Sequence, residues 1–318
     1  MHALLYSWPR LEVWAAAQSH SRGWVLEGSG VASQYGWSAH VVAMDFLTRQ
    51  DDVQKVLRHG PTGLFVDIDG TLTPIASTPS GVSIAPGVQR TLERLSHRMA
   101  VVALTGRSVA DARRILGLDT IIYAGNHGLE WWEHGTAFVV PEAMPYMQRM
   151  GELAKAADRR FADLPGILVE KKGPTISLHY RQTADPPAAR EAILQFLTHD
   201  SQGQGMVRRE GKMVVEVRPP VNSHKGTALM SVVERLALRS ALVFGDDVTD
   251  VDAFEAVRKL RRETALRGIT VAVLGDSAPA ELTGLADYDL PDTEAVALFL
   301  SELLEASLGG AVGGASGG

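Results

Sequence analysis

The sequence predicts an α/β fold: a doubly wound, mainly parallel sheet with a small inserted α+β cap domain. Three observations carry that expectation. Short apolar runs alternate with stretches of helical spacing along most of the chain, as strands joined by crossover helices do. Two of these runs end abruptly in paired acids. Between residues 141 and 218 the rhythm changes to apolar and polar residues in alternation, the pattern of antiparallel strands with one solvated face.

Taken in order, residues 1–50 stand apart by composition. Only Arg10, Glu12, Arg22 and Glu27 are charged before Asp45, and Trp8, Trp14, Trp24 and Trp37 are four of the six tryptophans. They read as a poorly ordered extension with no assigned chemistry. The core is expected over 51–140 and 219–305. Its first buried strand is Leu64-Phe65-Val66, and the runs 101–104, 121–124, 241–244 and 269–274 supply the next parallel strands. Helical spacing over 87–97, 109–116, 225–238 and 251–262 provides the connections that parallel strands require. In the cap, 141–218, the runs 175–181 and 213–218 read as antiparallel strands. Asp185 before Pro186 and Pro187 caps a helix that reaches about His199. Residues 306–318 read as a flexible tail, because six of the last ten residues are glycine.

Composition narrows the function. The chain has 318 residues, 45% hydrophobic and 21% charged, which suits an ordinary globular protein of about two domains. Its 31 basic and 37 acidic residues leave a net charge of -6 with no basic run, so no polynucleotide partner is expected. Without cysteine there can be no disulfide, thiol nucleophile or Cys-ligated metal, and any metal must be held by oxygen or histidine. No window of about 20 predominantly apolar residues is present for a membrane-spanning helix. A cytoplasmic monomer is expected, with no membrane partner.

The chemistry gathers at predicted strand ends. Asp67, Asp69 and Gly70 follow the first strand, and Gly245, Asp246, Asp247 and Asp250 follow the run 241–244. Ligands of open α/β sheets bind at the carboxyl ends of strands. Like charges about 4 Å apart repel by roughly 4 kcal/mol at an effective dielectric near 20, so two acidic strand ends imply a shared cation. Mg²⁺ suits carboxylates combined with a phosphate. Asp67 could then attack phosphorus, and Asp69 could protonate the leaving oxygen and later activate water. Thr105, Gly106 and Arg107 offer a hydroxyl and free amides for phosphate oxygens. Lys225 offers an ammonium for both Asp67 and the phosphoryl group. Each feature alone also fits a plain strand-to-helix turn or a solvated lysine. Their order along the chain is what distinguishes them.

That order resembles the haloacid dehalogenase-like phosphohydrolases, with motifs at Asp67 to Thr71, Thr105, Lys225, and Asp246 with Asp250. Several strings look like the trehalose-6-phosphate phosphatases among them: Gly245 to Asp250, Gly125-Asn126-His127-Gly128, Glu170 to Lys172 with His179 to Arg181, and Glu216 to Pro219. The resemblance spans about residues 55–305. It implies Asp67 as nucleophile, Asp69 as general acid/base, and Mg²⁺ on the Asp67 side chain, the Asp69 carbonyl and the Asp246 side chain. Asp250 becomes an outer or additional metal contact. Thr105, Gly106 and Lys225 would hold the phosphoryl group, and the cap would close over the sugar.

Sugar hydroxyls need fixed polar partners. Arg107, Glu170, Lys172, Arg181 and Glu216 are the substrate-binding candidates, although each cap residue also fits a solvated or ion-paired strand position. His127 and His179 are weaker candidates. Val251 departs from the family pattern, which usually carries an acid there, so an outer hydrogen bond near the metal is expected to be missing. Two enzymatic alternatives keep the chemistry: another sugar phosphate as substrate, such as sucrose 6-phosphate or mannosyl-3-phosphoglycerate, or a phosphomutase. A catalytically silent sugar-phosphate-binding module is the alternative from another class.

Overall fold

The structure is a computed structural model that describes residues 51–76, 81–275 and 278–309. The N-terminal extension, residues 1–50, lies outside them, as does the end of the tail from residue 310.

Residues 51–58 form a helix that leads into β1 (Thr62–Val66). The core continues with α1 (Pro86–Ser96), β2 (Ala100–Leu104), α2 (Val109–Leu116), β3 (Ile122–Gly125), β4 (Glu130–Glu133) and β5 (Thr136–Val139). The inserted unit holds α3 (Met147–Phe161), β6 (Leu168–Lys171), β7 (Ile176–His179), α4 (Pro186–His199), β8 (Val207–Gly211) and β9 (Val214–Arg218). The chain returns to the core with α5 (Lys225–Arg235), β10 (Ser240–Gly245), α6 (Val248–Glu263), β11 (Arg267–Val273), α7 (Ala280–Thr283), β12 (Tyr288–Leu290) and α8 (Thr293–Gly309).

The main sheet runs β12-β11-β10-β1-β2-β3-β4-β5. Every pairing from β12 to β3 is parallel, and the β4–β5 hairpin adds an antiparallel edge. This is the doubly wound α/β fold the sequence predicts. Because side chains alternate across a strand, β1 sends Leu64 and Val66 into one apolar layer and Phe65 into the other. The first layer contains the inner faces of α1, α2 and α8, and the second those of α5 and α6. The inserted unit has its own antiparallel sheet, β6-β7-β9-β8, and its own apolar core around Met150, Phe161, Leu178, Ile193 and Val217.

Several boundaries differ from the sequence reading for local reasons. The helix expected from 251 begins at Val248, because the Asp247 carboxylate accepts the Val248 N–H at 2.7 Å and opens the helix three residues earlier. The helix expected to reach 238 ends at Arg235, since Ala237 is left-handed at φ +48°. At the carboxyl end, α8 runs through Gly309, four residues past the boundary drawn at 305; the Arg98 guanidinium donates to the Ser307 carbonyl at 3.0 Å. The sequence pattern marks no strand at β4, β5 or β12 and no helix at 51–58, α3, α7 or α8.

Candidate active site

Strand order alone assembles the site. β10, β1 and β2 are neighbours in the sheet, and their carboxyl ends deliver Asp246, Asp67 and Thr105 to one edge. The Asp67 N–H, one residue past the end of β1, donates to the Phe244 carbonyl at 3.2 Å and holds Asp67 against β10. Asp67, Asp246 and Asp250 each bring one carboxylate oxygen to within 4.8 Å of the others.

Lys225 is the counter-charge to this cluster. It opens α5 and is 2% exposed, with Nζ 3.0 Å from Asp67 Oδ1 and 2.7 Å from Asp250 Oδ1. Burial opposes the ammonium's charge, but Asp250 and Asp67 together hold its pKa above the usual lysine value. The acids shift the other way. Burial, followed by neighbouring carboxylates, pushes Asp67 well above the usual carboxylate range, and Asp246 rises to about 7 for the same reasons. Asp250 is raised chiefly by burial. Both its oxygens are engaged: one accepts from Lys225, and the other accepts the N–H groups of Asp246 and Asp247 at 3.3 and 3.2 Å.

With all three carboxylates ionised, one ammonium leaves two negative charges in a buried space, and the donors are all hard oxygens. A divalent, oxygen-preferring cation fits that set. Asp67 and Asp246 are the side chains whose oxygens remain for it. Asp246 is steered by the Thr71 hydroxyl, which donates to its Oδ1 at 3.1 Å, and by Gly70. Gly70 has φ +85°, and a Cβ there would sit 2.0 Å from Asp246 Oδ2, so the loop can close over the carboxylate only because no side chain is present.

Asp69 is not directed into this cluster. Its carboxylate is gripped by Arg107, with Nε to Oδ2 at 2.5 Å and Nη2 to Oδ1 at 2.7 Å, and the same guanidinium also binds Asp111. Thr105 is buried, and its hydroxyl accepts the Arg107 N–H at 3.2 Å, closing the loop that contains Gly106.

The inserted unit brings three of its four candidates to this edge. Lys172 Nζ donates to the Gly106 carbonyl at 3.2 Å and to Glu216 Oε1 at 3.3 Å, and lies 3.9 Å from Glu170 Oε2. Glu216 also accepts from Arg218 at 2.5 Å. Burial would raise its pKa, but Lys172, His127 and Arg218 bring it down to about 2. His179 is 2.8 Å from Glu170 Oε2. Arg181 is not brought in: it is exposed and donates to the Lys212 carbonyl at 3.2 Å. Val251 is buried in the apolar layer beside α5 and α6. Sequence reasoning missed Arg218 and Asn126. Both stand inside family-like strings with no role assigned: Arg218 lies two residues beyond Glu216 on β9, and Asn126 bonds to Lys172 across 46 residues.

Against known proteins, a family model described as trehalose-phosphatase matches residues 65–290. The chain belongs to the trehalose-phosphatase family. A trehalose-phosphate phosphatase of Mycobacterium tuberculosis is 32% identical over 200 residues, 61% of this chain and 51% of that protein. A protein named probable trehalose-phosphate phosphatase in Sinorhizobium fredii is 33% identical over 202 residues, 62% of this chain and 74% of that one. The chain thus spans about half the length of the mycobacterial relatives. A crystal structure described as a trehalose-6-phosphate phosphatase related protein superimposes with a TM-score of 0.66 at 24% identity, covering 78% of this chain and 99% of that one. At that identity it supports the fold alone, as does a haloacid dehalogenase-like hydrolase from Bacteroides thetaiotaomicron at 14% identity and a TM-score of 0.54, covering 77% of this chain and 100% of that one.

Proposed function

We propose that this chain hydrolyses trehalose 6-phosphate to trehalose and phosphate, with Mg²⁺ and through an aspartyl-phosphate on Asp67. The observation that carries the reading is the convergence of Asp67, Lys225 and Asp246 at three neighbouring strand and helix ends, in a chain of the trehalose-phosphatase family. The names of the relatives support a trehalose phosphate as the substrate, and the 6-position rests on the resemblance carried by the sequence motifs.

The Asp67 and Asp246 side chains and the Asp69 main-chain carbonyl would hold Mg²⁺, with Asp250 in outer contact. Bound there, the ion would supply positive charge to the phosphoryl oxygens. Asp67 contributes the attacking oxygen, forming an O–P bond as the bond from phosphorus to the sugar oxygen breaks. Lys225 opposes the burial that raises the Asp67 pKa and so favours its ionised form, and with Thr105 and Gly106 it holds the phosphoryl oxygens. Asp69, parted from Arg107 and carrying a proton taken up from solvent, gives that proton to the departing sugar oxygen. It then takes a proton from the water that attacks phosphorus, which frees phosphate and restores Asp67. Glu170, Lys172 and Glu216 present fixed donors and acceptors to the sugar hydroxyls, and Arg107 and Arg181 remain candidates for substrate contacts. The reading keeps the cytoplasmic, monomeric setting expected from the sequence.

The test is phosphate release from trehalose 6-phosphate, sucrose 6-phosphate and glucose 6-phosphate. Release confined to the first supports the reading. Preference for another sugar phosphate removes the substrate assignment, and silence with all three favours a binding module.

A further inference from the structure

Asn126 and His127 are consecutive non-glycine residues in the left-handed region, at φ +49° and +56°. Such conformations cost about 1–3 kcal/mol each and persist where the surroundings impose them. Here they let one turn face two ways. The main-chain N–H groups of Asn126 and His127 donate to the Arg107 and Thr105 carbonyls at 2.7 and 2.9 Å, holding the loop that flanks Gly106. The Asn126 side chain turns towards the cap. Its Nδ2 donates to the Lys172 carbonyl at 2.9 Å, and its Oδ1 accepts from the Thr175 hydroxyl at 2.7 Å. A second acceptor at Nδ2, Glu130 Oε2 at 2.9 Å, settles which amide atom is nitrogen. Asn126 and Thr175 are both fully buried.

One residue is therefore bonded through its main chain to the loop around Gly106 and through its side chain to the cap turn between β6 and β7. That turn begins at Lys172, whose ammonium reaches both Gly106 and Glu216. We propose that Asn126 is a positioning residue that sets the cap's sugar-binding groups at a defined height above the phosphate loop. It thereby governs recognition of the sugar and not reaction at phosphorus. The inference rests on the proposed phosphatase reading. The side-chain hydrogen bonds of Asn126 and Thr175 go to Glu130, to Lys172 and to each other, away from the acidic cluster and Lys225.

The test compares trehalose 6-phosphate with p-nitrophenyl phosphate, which presents a phosphoryl group and no sugar, in Asn126→Ala, Thr175→Val and Thr175→Ser. Asn126→Ala loses three side-chain hydrogen bonds, and the two to the cap, each of ordinary net strength, should raise KM for trehalose 6-phosphate about tenfold or more. Thr175→Val should move the same way, and Thr175→Ser, which keeps the hydroxyl, should restore the wild-type value. Turnover of p-nitrophenyl phosphate should stay unchanged in all three. Equal losses on both substrates, or no change on either, would overturn the inference. A readout free of substrate separates this from failure of the phosphatase reading. The Lys172 N–H, bonded to the Thr175 carbonyl at 3.0 Å, should exchange with deuterium faster in Asn126→Ala, while β1 amides keep their wild-type rates. Unchanged exchange at Lys172 would contradict the inference even if trehalose 6-phosphate is not a substrate.

Discussion

The Lys225 ammonium lies 3.0 Å from Asp67 Oδ1 although the two residues stand 158 positions apart, and both are almost fully buried. Removing one partner of a buried charge pair typically costs 3–5 kcal/mol, because the other charge stays unpaired. Lys225→Met should therefore lower thermal stability, and phosphate release should fall on the order of a hundredfold or more, as when an electrostatic partner of the reacting group is lost. Calorimetry with an activity assay checks both. A stable, fully active Lys225→Met protein would remove Lys225 from the mechanism.

The cation assignment predicts stabilisation by Mg²⁺ that depends on Asp246. At about 100 times its dissociation constant, a ligand that binds only the folded state adds about 2.7 kcal/mol, or on the order of 5–10 °C for a domain of this size. Thermal melts of the wild type should rise with Mg²⁺ and fall back with EDTA. Asp246→Asn should show little response to either.

Gly70→Ala should act through the same carboxylate. Its Cβ would meet Asp246 Oδ2 at 2.0 Å in a backbone conformation that disfavours any side chain. Weakened Mg²⁺ stabilisation and reduced phosphate release are expected, read by melts and steady-state assays. Wild-type Mg²⁺ dependence in this variant would show that the loop's approach to Asp246 does not matter.

Glu216 should contribute to acid sensitivity. Its pKa is lowered from 4.5 to about 2 in the folded chain, so its stabilisation is fully present above pH 4.5 and is lost as pH falls towards 2. A shift of that size corresponds to about 3 kcal/mol. The stability gap between wild type and Glu216→Gln, from denaturant unfolding, should be largest near neutral pH and narrow between pH 4.5 and 3. A gap independent of pH would mean that Lys172 and Arg218 do not act on Glu216 through its charge.

How much of this was legible in the sequence depends on how local each signal is. Asp67, Thr105, Lys225 and Asp246 each sit at the end of an apolar run or the start of a helical one, so the doubly wound frame and its acidic edge follow from pattern. The β4–β5 hairpin was hidden, because the order Glu130-Trp131-Trp132-Glu133 shows no apolar-polar alternation, although burial alternates along β4. Asn126 gave no local sign of its bonds to Lys172 and Thr175, which depend on how the cap turn packs. The pair between Asp69 and Arg107 spans two strand ends and emerges only once β1 and β2 are neighbours. Arg181 matched a family string, yet its side chain lies by Lys212.

The most direct test of the central claim is phosphate release from trehalose 6-phosphate by wild type and Asp67→Asn, each with Mg²⁺ and with EDTA. The account predicts release by the wild type with Mg²⁺ alone, and none above background from Asp67→Asn in either condition. Wild-type rates from Asp67→Asn would contradict it, because the carboxylate held by Lys225 would then not be the attacking group.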